Sequence, residues 1–87
     1  MAWTIEVAAS AAKALRKTDP QVRRRIVQAL REIADLDDPR SRGKALTGNL
    51  RGLWRYRAGD WRIICDIDDG RVVVVVIEIG HRSRIYE

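Results

Sequence analysis

The chain is poor in the residues that would make it a secreted, membrane or metal-binding protein. Among its 87 residues there is one cysteine, Cys65, so no internal disulfide can form and a reducing compartment fits. Cys65 and the single histidine, His81, leave no cluster with zinc-ligand spacing. The longest apolar run, Val72 to Ile77, is far too short to span a bilayer. The N-terminal stretch MAWTIEVAAS has no basic start followed by an apolar segment, so it does not read as a secretory signal. Neither an internal repeat nor a low-complexity segment is present. These shortages predict one cytoplasmic domain over residues 1–87, with no metal, no cofactor and no membrane partner.

What the chain does have is enough apolar content for one small core, 46%, and an excess of basic residues. Seventeen lysines and arginines stand against twelve acids, a formal charge of +5. Such a field favours a polyanion, of which nucleic acid is the commonest. Charge alone is equally compatible with a soluble domain that happens to be basic.

The element order reads as β-α-α-β-β-β. Trp3, Ile5 and Val7 alternate with Thr4 and Glu6, a half-buried strand over 3–7. Residues 9–17 form a short helix, with Ser10 a candidate cap. Asp19 then suits an N-cap and Pro20 the first helical position. Val22, Ile26, Ala29, Ile33 and Leu36 follow at helical spacing, with Leu30 beside them. Arg23, Arg24 and Arg25 straddle the other side, which suits a solvated face or a nucleic-acid contact. Residues 37–49 read as a loop, and strands are predicted over about 50–57, 61–67 and 71–79. This is an α+β domain: an N-terminal strand, a two-helix hairpin, then an antiparallel three-stranded meander with the helices on one face.

The stretch LRGLWRYRAGDWRII, residues 50–64, puts Arg51, Arg55, Arg57 and Arg62 among apolar strand residues. A two-residue turn at Asp69-Gly70 would pair Ile67 with Val72, Cys65 with Val74, and Ile63 with Val76. The earlier turn centres on Ala58-Gly59 or Gly59-Asp60, and both give the same parity. Trp54, Tyr56, Trp61 and Ile63 then face the helices, while Arg55, Arg57 and Arg62 share the opposite face with Leu53, Ile64, Val73, Val75 and Ile77. Asp60 and Asp66 lie on that basic face and offer partners for ion pairs, but exposed pairs contribute only ~0–1 kcal/mol. Bidentate phosphate binding explains the clustered guanidiniums better. The closing GHRSRIYE adds His81, Arg82, Arg84 and Tyr86, residue types able to move protons or stack on a base. Gly80 interrupts the alternation, so parity leaves open the side on which Arg82 emerges.

Residues 43–86 resemble the second half of RelE-type toxins of the RelE/ParE superfamily. The matching features are Lys44, Leu46 and Gly48, the Y-R-x-G-D-W-R hairpin, the D-G turn before a valine strand, and the closing G-H-R followed by a tyrosine. The N-terminal strand and helices fit as well. The resemblance implies a ribosome-dependent, metal-independent endoribonuclease that cuts mRNA in the A site by attack of the messenger's own 2′-hydroxyl. It implies a catalytic set of Arg55, Arg62, Arg82, Tyr86 and His81, with Arg51, Arg57, Arg84 and Lys44 holding RNA. Arg55 matches a basic residue of proton transfer and charge stabilisation, Arg62 the ligand of the scissile phosphate, Arg82 a stabiliser of the leaving oxygen, and Tyr86 the residue against the base. Leu53 stands where the best-known pattern has a lysine, which leaves the base to His81, to Tyr86 or to a contribution from the ribosome. The implied partners are the ribosome, mRNA and a RelB-like antitoxin that folds on binding. On the same fold, a ParE-like chain would poison DNA gyrase without cutting RNA. A noncatalytic basic RNA-binding module is the third alternative, although its stacking aromatics are here assigned to the core.

Overall fold

The computed structural model describes residues 2–83. Strand β1 (Thr4–Val7) leads into helix α1 (Ala9–Arg16) and helix α2 (Pro20–Ala34). Strands β2 (Lys44–Ala45), β3 (Trp54–Ala58), β4 (Trp61–Asp68) and β5 (Val73–His81) follow. The order across the sheet is β1-β5-β4-β3-β2, with β1 parallel to β5 and the other pairs antiparallel. The α+β class holds, and the sheet gains a fifth strand, β2, inside the predicted loop. Two residues are too few to show alternation, which is why the strand was not legible.

The helices begin for different reasons. Asp19 caps α2 as expected, its carboxylate accepting from the Gln21 and Val22 amides at 2.9 and 3.1 Å, with Pro20 in the first turn. Ser10 does not cap α1; that helix starts after Ala8 without a side-chain cap, and the Ser10 hydroxyl donates instead to the Ile77 carbonyl. One apolar side of the helices, Ala11, Ile26, Leu30 and Ile33, packs onto Tyr56, Ile63, Cys65, Val74 and Val76 of the sheet. Burying these side chains supplies roughly 1.5–3 kcal/mol for each large one.

Between α2 and β3 the chain is pinned by aromatic polar atoms. The Trp3 indole donates to the Asp37 carbonyl, the Tyr56 hydroxyl to Pro39 and the Trp54 indole to Arg42, at 3.2, 2.6 and 2.6 Å. Gly43 then lies flat on β3 with φ +79°; a Cβ there would stand 2.7 Å from the Trp54 Nε1. The expected strand 50–57 begins only at Trp54, because Gly48–Leu50 form a single 3₁₀ turn and Gly52 has φ +96°.

The β4–β5 hairpin departs from the two-residue turn. Asp69–Val72 make a four-residue connection, so Ile67 pairs with Val74 and Cys65 with Val76. The register moves by two, which preserves every face assignment up to that point. A bulge then breaks the alternation: Cys65 pairs with Val76 but Ile64 with Glu78, leaving Ile77 as the extra residue. Ile77 is therefore the unpaired residue of β5. Beyond the bulge Ile63 pairs with Ile79 and Trp61 with His81, so β5 runs two residues past its expected end.

Candidate functional site

The sheet face away from the helices carries the arginines, as hairpin parity requires. Arg57 and Arg62 are direct cross-strand partners, and Arg55 pairs with Ile64. Lys44 on β2 pairs with Arg55 and so shares its face. Trp54, Tyr56 and Trp61 pack towards the helical core. Ile64, among the arginines, is wholly buried, which fits arginine stems lying along the apolar strand surface. Arg62 faces Gly80 across β4–β5, so no side chain stands between it and the end of β5.

The bulge decides the side of Arg82. Without it, Glu78 and Gly80 would follow Val76 onto the core face; with it, Ile79 is buried there and His81 lies beside Trp61. Arg82 thereby falls on the arginine face. A cavity of about 120 Å³ is lined by Arg57, Gly59, Asp60, Arg62 and Arg82. The Arg82 amide donates to the Asp60 carbonyl at 2.8 Å, which ties the end of β5 to the β3–β4 turn. The Asp60 carboxylate stands 3.9 Å from Arg82 Nε, both groups being well exposed. Three guanidiniums thus surround a volume suited to one phosphate-sized anion, with Asp60 the carboxylate at its edge among the described residues. Burial, and then the charges of Arg57 and Arg62, push the Arg55 guanidinium below its usual pKa.

Of the residues expected at the site, the structure brings Arg62 and Arg82 together with Arg57 around this pocket, while Arg55 and Lys44 continue the same face along β3 and β2. His81 is on the helix side. Its ring meets Trp61 edge-on at 5.7 Å, and its Nδ1 accepts from the Ser83 amide at 3.3 Å and contacts the Ser83 hydroxyl at 2.9 Å. Arg51 is exposed in the turn before β3 rather than on a strand. Arg84 and Tyr86 lie outside the described residues. Arg23 is structural: its guanidinium donates to the carbonyls of Leu15, Arg16 and Thr18, satisfying the end of α1. The sequence offers Arg25 only as one of a helical trio, yet its side chain reaches the β3–β4 turn, where a Cβ on Gly59 would stand 2.8 Å from Arg25 Nη1. No sequence spacing signals that tertiary contact.

The family model described as "ParE toxin of type II toxin-antitoxin system, parDE" matches residues 5–86. The chain is 35% identical to Toxin RelG of Mycobacterium tuberculosis, over 99% of this chain and 98% of that one. It is 43% identical to Toxin RelE of the same organism, over 59% of this chain and 53% of that one. Among solved structures, the RelBE2 toxin–antitoxin complex of M. tuberculosis has a TM-score of 0.72 at 30% identity, covering 94% of this chain and 100% of that one. An archaeal RelE–RelB complex from Pyrococcus horikoshii shares the fold, with a TM-score of 0.75 at 24% identity, covering 98% of this chain and 100% of that one. The family model over residues 5–86 and a relative 35% identical along nearly its whole length show that the chain belongs to the RelE/ParE superfamily as a toxin of a type II toxin–antitoxin system.

Proposed function

We propose that this toxin is a ribosome-dependent endoribonuclease that cuts mRNA in the ribosomal A site and so inhibits translation. The observation that carries the proposal is the pocket of about 120 Å³ between Arg57, Arg62 and Arg82. In the reaction the 2′-oxygen of one nucleotide attacks the adjacent phosphorus and the P–O5′ bond breaks. A 2′,3′-cyclic phosphate and a 5′-hydroxyl result; one proton leaves the 2′-oxygen and one arrives on O5′. Arg62, fixed by strands on both sides, holds the phosphate and stabilises the charge that grows on it. Arg82 lies towards the leaving oxygen and Arg57 completes the cradle. Arg55 has its proton affinity lowered in the direction that proton donation requires. The ribosome supplies the attack geometry, and naked RNA is expected to be a poor substrate.

The partner proposed is a RelB-like antitoxin that folds onto the toxin. Its support is that the solved M. tuberculosis relative is a RelBE2 toxin–antitoxin complex. A second reading is favoured by one finding, the ParE description of the matching family: inhibition of DNA gyrase without nuclease activity. Primer extension on translated messages after brief induction separates the two. New 5′ ends within codons support the nuclease, whereas intact messages with lost supercoiling activity support the gyrase inhibitor.

A further inference from the structure

The cationic surface does not stop at the pocket. An open groove of about 980 Å³ runs between α2 and the β2–β3 edge. Its charged lining is Arg24, Arg25, Arg42, Lys44, Arg55 and Arg57, against Glu32 as the one acid. Glu32 is occupied by Arg42 at 3.0 Å. Arg24, Arg25, Lys44 and Arg57 join no ion pair among the described residues. Two features make groove and pocket continuous. Arg57 lines both, and the Arg25 guanidinium lies on Gly59, which lines the pocket.

We propose that this groove carries the phosphodiester backbone of the same single strand whose reacting phosphate sits between Arg57, Arg62 and Arg82, a proposal that rests on the RNA reading above. The groove contributes affinity and direction, and no group of it outside the pocket touches the reacting atoms except through Arg55 and Arg57. A phosphate strand suits the lining better than an acidic peptide does. A peptide that folds on binding needs apolar pockets for its anchors. The apolar lining here is already packed: Ile33 and Tyr56 are only 2% and 3% exposed. Its exposed side chains Arg24, Arg25, Gln28, Glu32, Arg42 and Lys44 are charged or polar, and they rim a floor whose accessible surface is more apolar than polar. The excess of cations on that rim, with its one acid already paired, is what favours a polyelectrolyte.

The test uses the full chain with fluorescent 2′-O-methyl RNA, which cannot be cut, as a 12-mer and as a dinucleotide. The double variant Arg24→Gln, Arg25→Gln keeps helix-forming residues, and its thermal unfolding should match the parent. Losing two phosphate contacts should make the salt dependence of 12-mer binding shallower by about 1.4 in log–log slope and weaken binding roughly tenfold at physiological salt. Dinucleotide binding should be unchanged, and ribosomal cleavage should show a raised KM with kcat retained. Equal 12-mer affinity and slope in parent and variant overturn the proposal. So does a variant that binds RNA normally but loses an acidic antitoxin peptide, which reassigns the groove to protein. Failure of the RNA reading looks different: the dinucleotide then fails to bind the parent, and Arg62→Ala remains fully toxic.

Discussion

The two hairpin ends of the sheet treat arginine in opposite ways. At the β4–β5 end each arginine has acids. Arg40 holds Asp69 through two hydrogen bonds of 2.9 Å, which raises the pKa of Arg40 and lowers that of Asp69. Arg71 reaches Glu6 at 2.7 Å and Asp68 at 3.9 Å. At the β3–β4 end, Arg57 is set directly across from Arg62, Arg82 is folded in beside them, and the Asp60 carboxylate stands 3.9 Å from Arg82. Folding requires only the first arrangement. Opposed like charges disfavour strand pairing, and Arg57 across from Arg62 is the pairing on which the proposed anion site rests.

The largest expected effect separates the ends by activity. Arg62→Ala should lose ~3–4 kcal/mol of transition-state stabilisation, about 100- to 1000-fold in cleavage rate, while folding normally and retaining its antitoxin. Arg62→Lys should recover only part of the rate, since an ammonium lacks the bidentate fork. Arg40→Ala, on the paired end, should cleave as the parent does. Cleavage lost equally in both would erase the distinction.

The layer between the ends should set an alkaline limit. Burial pushes the Cys65 thiol from 9.0 up to about 12, and pushes the Tyr56 hydroxyl above its usual 10.0 as it donates to Pro39. Both groups stay protonated in the folded chain while the unfolded chain releases its protons. Their contribution is therefore complete below pH 9 and is lost as pH rises, by up to about 1.4 kcal/mol per pH unit for each group. Denaturant melts between pH 8 and 11 check this, and Tyr56→Phe should flatten the part above pH 10.

Smaller effects concern stability at each end. Val72, in the β4–β5 connection, has φ +57° and is 43% exposed. A β-branched residue is strained there, and Val72→Gly should stabilise by about 1 kcal/mol. On the crowded end, Arg57→Ala should leave the melting temperature unchanged or raise it slightly as repulsion eases, whereas Arg40→Ala should lower it. Loss of stability in Arg57→Ala would make that guanidinium a structural brace.

The same contrast shows what the sequence disclosed. Period-two alternation placed Trp54, Tyr56 and Trp61 inward and Arg55, Arg57 and Arg62 outward, because the two-residue Gly59-Asp60 turn pairs Ala58 with Trp61 in the expected parity, and the register error of two residues at Asp69–Val72 leaves the faces of β5 up to the bulge untouched. Asp19-Pro20 announced α2 through local capping chemistry alone. Long-range features were illegible. The bulge at Ile77 left only a faint mark, the acid Glu78 where alternation wants a core residue, yet it decides where His81 and Arg82 point. β2 forms because the Trp54 and Tyr56 side chains hold residues 39–43 against β3, and Arg25 reaches the turn at Gly59 only once α2 has docked.

The most direct measurement is a site-resolved one: amide NMR shifts of the full chain titrated with a 2′-O-methyl dinucleotide at constant ionic strength. A phosphate held by the β3–β4 end should move the amides of Gly59, Asp60, Arg62 and Arg82 and leave those of Asp69, Gly70 and Arg71 in place. Shifts spread evenly over both ends, or centred on Asp69–Arg71, would contradict the account.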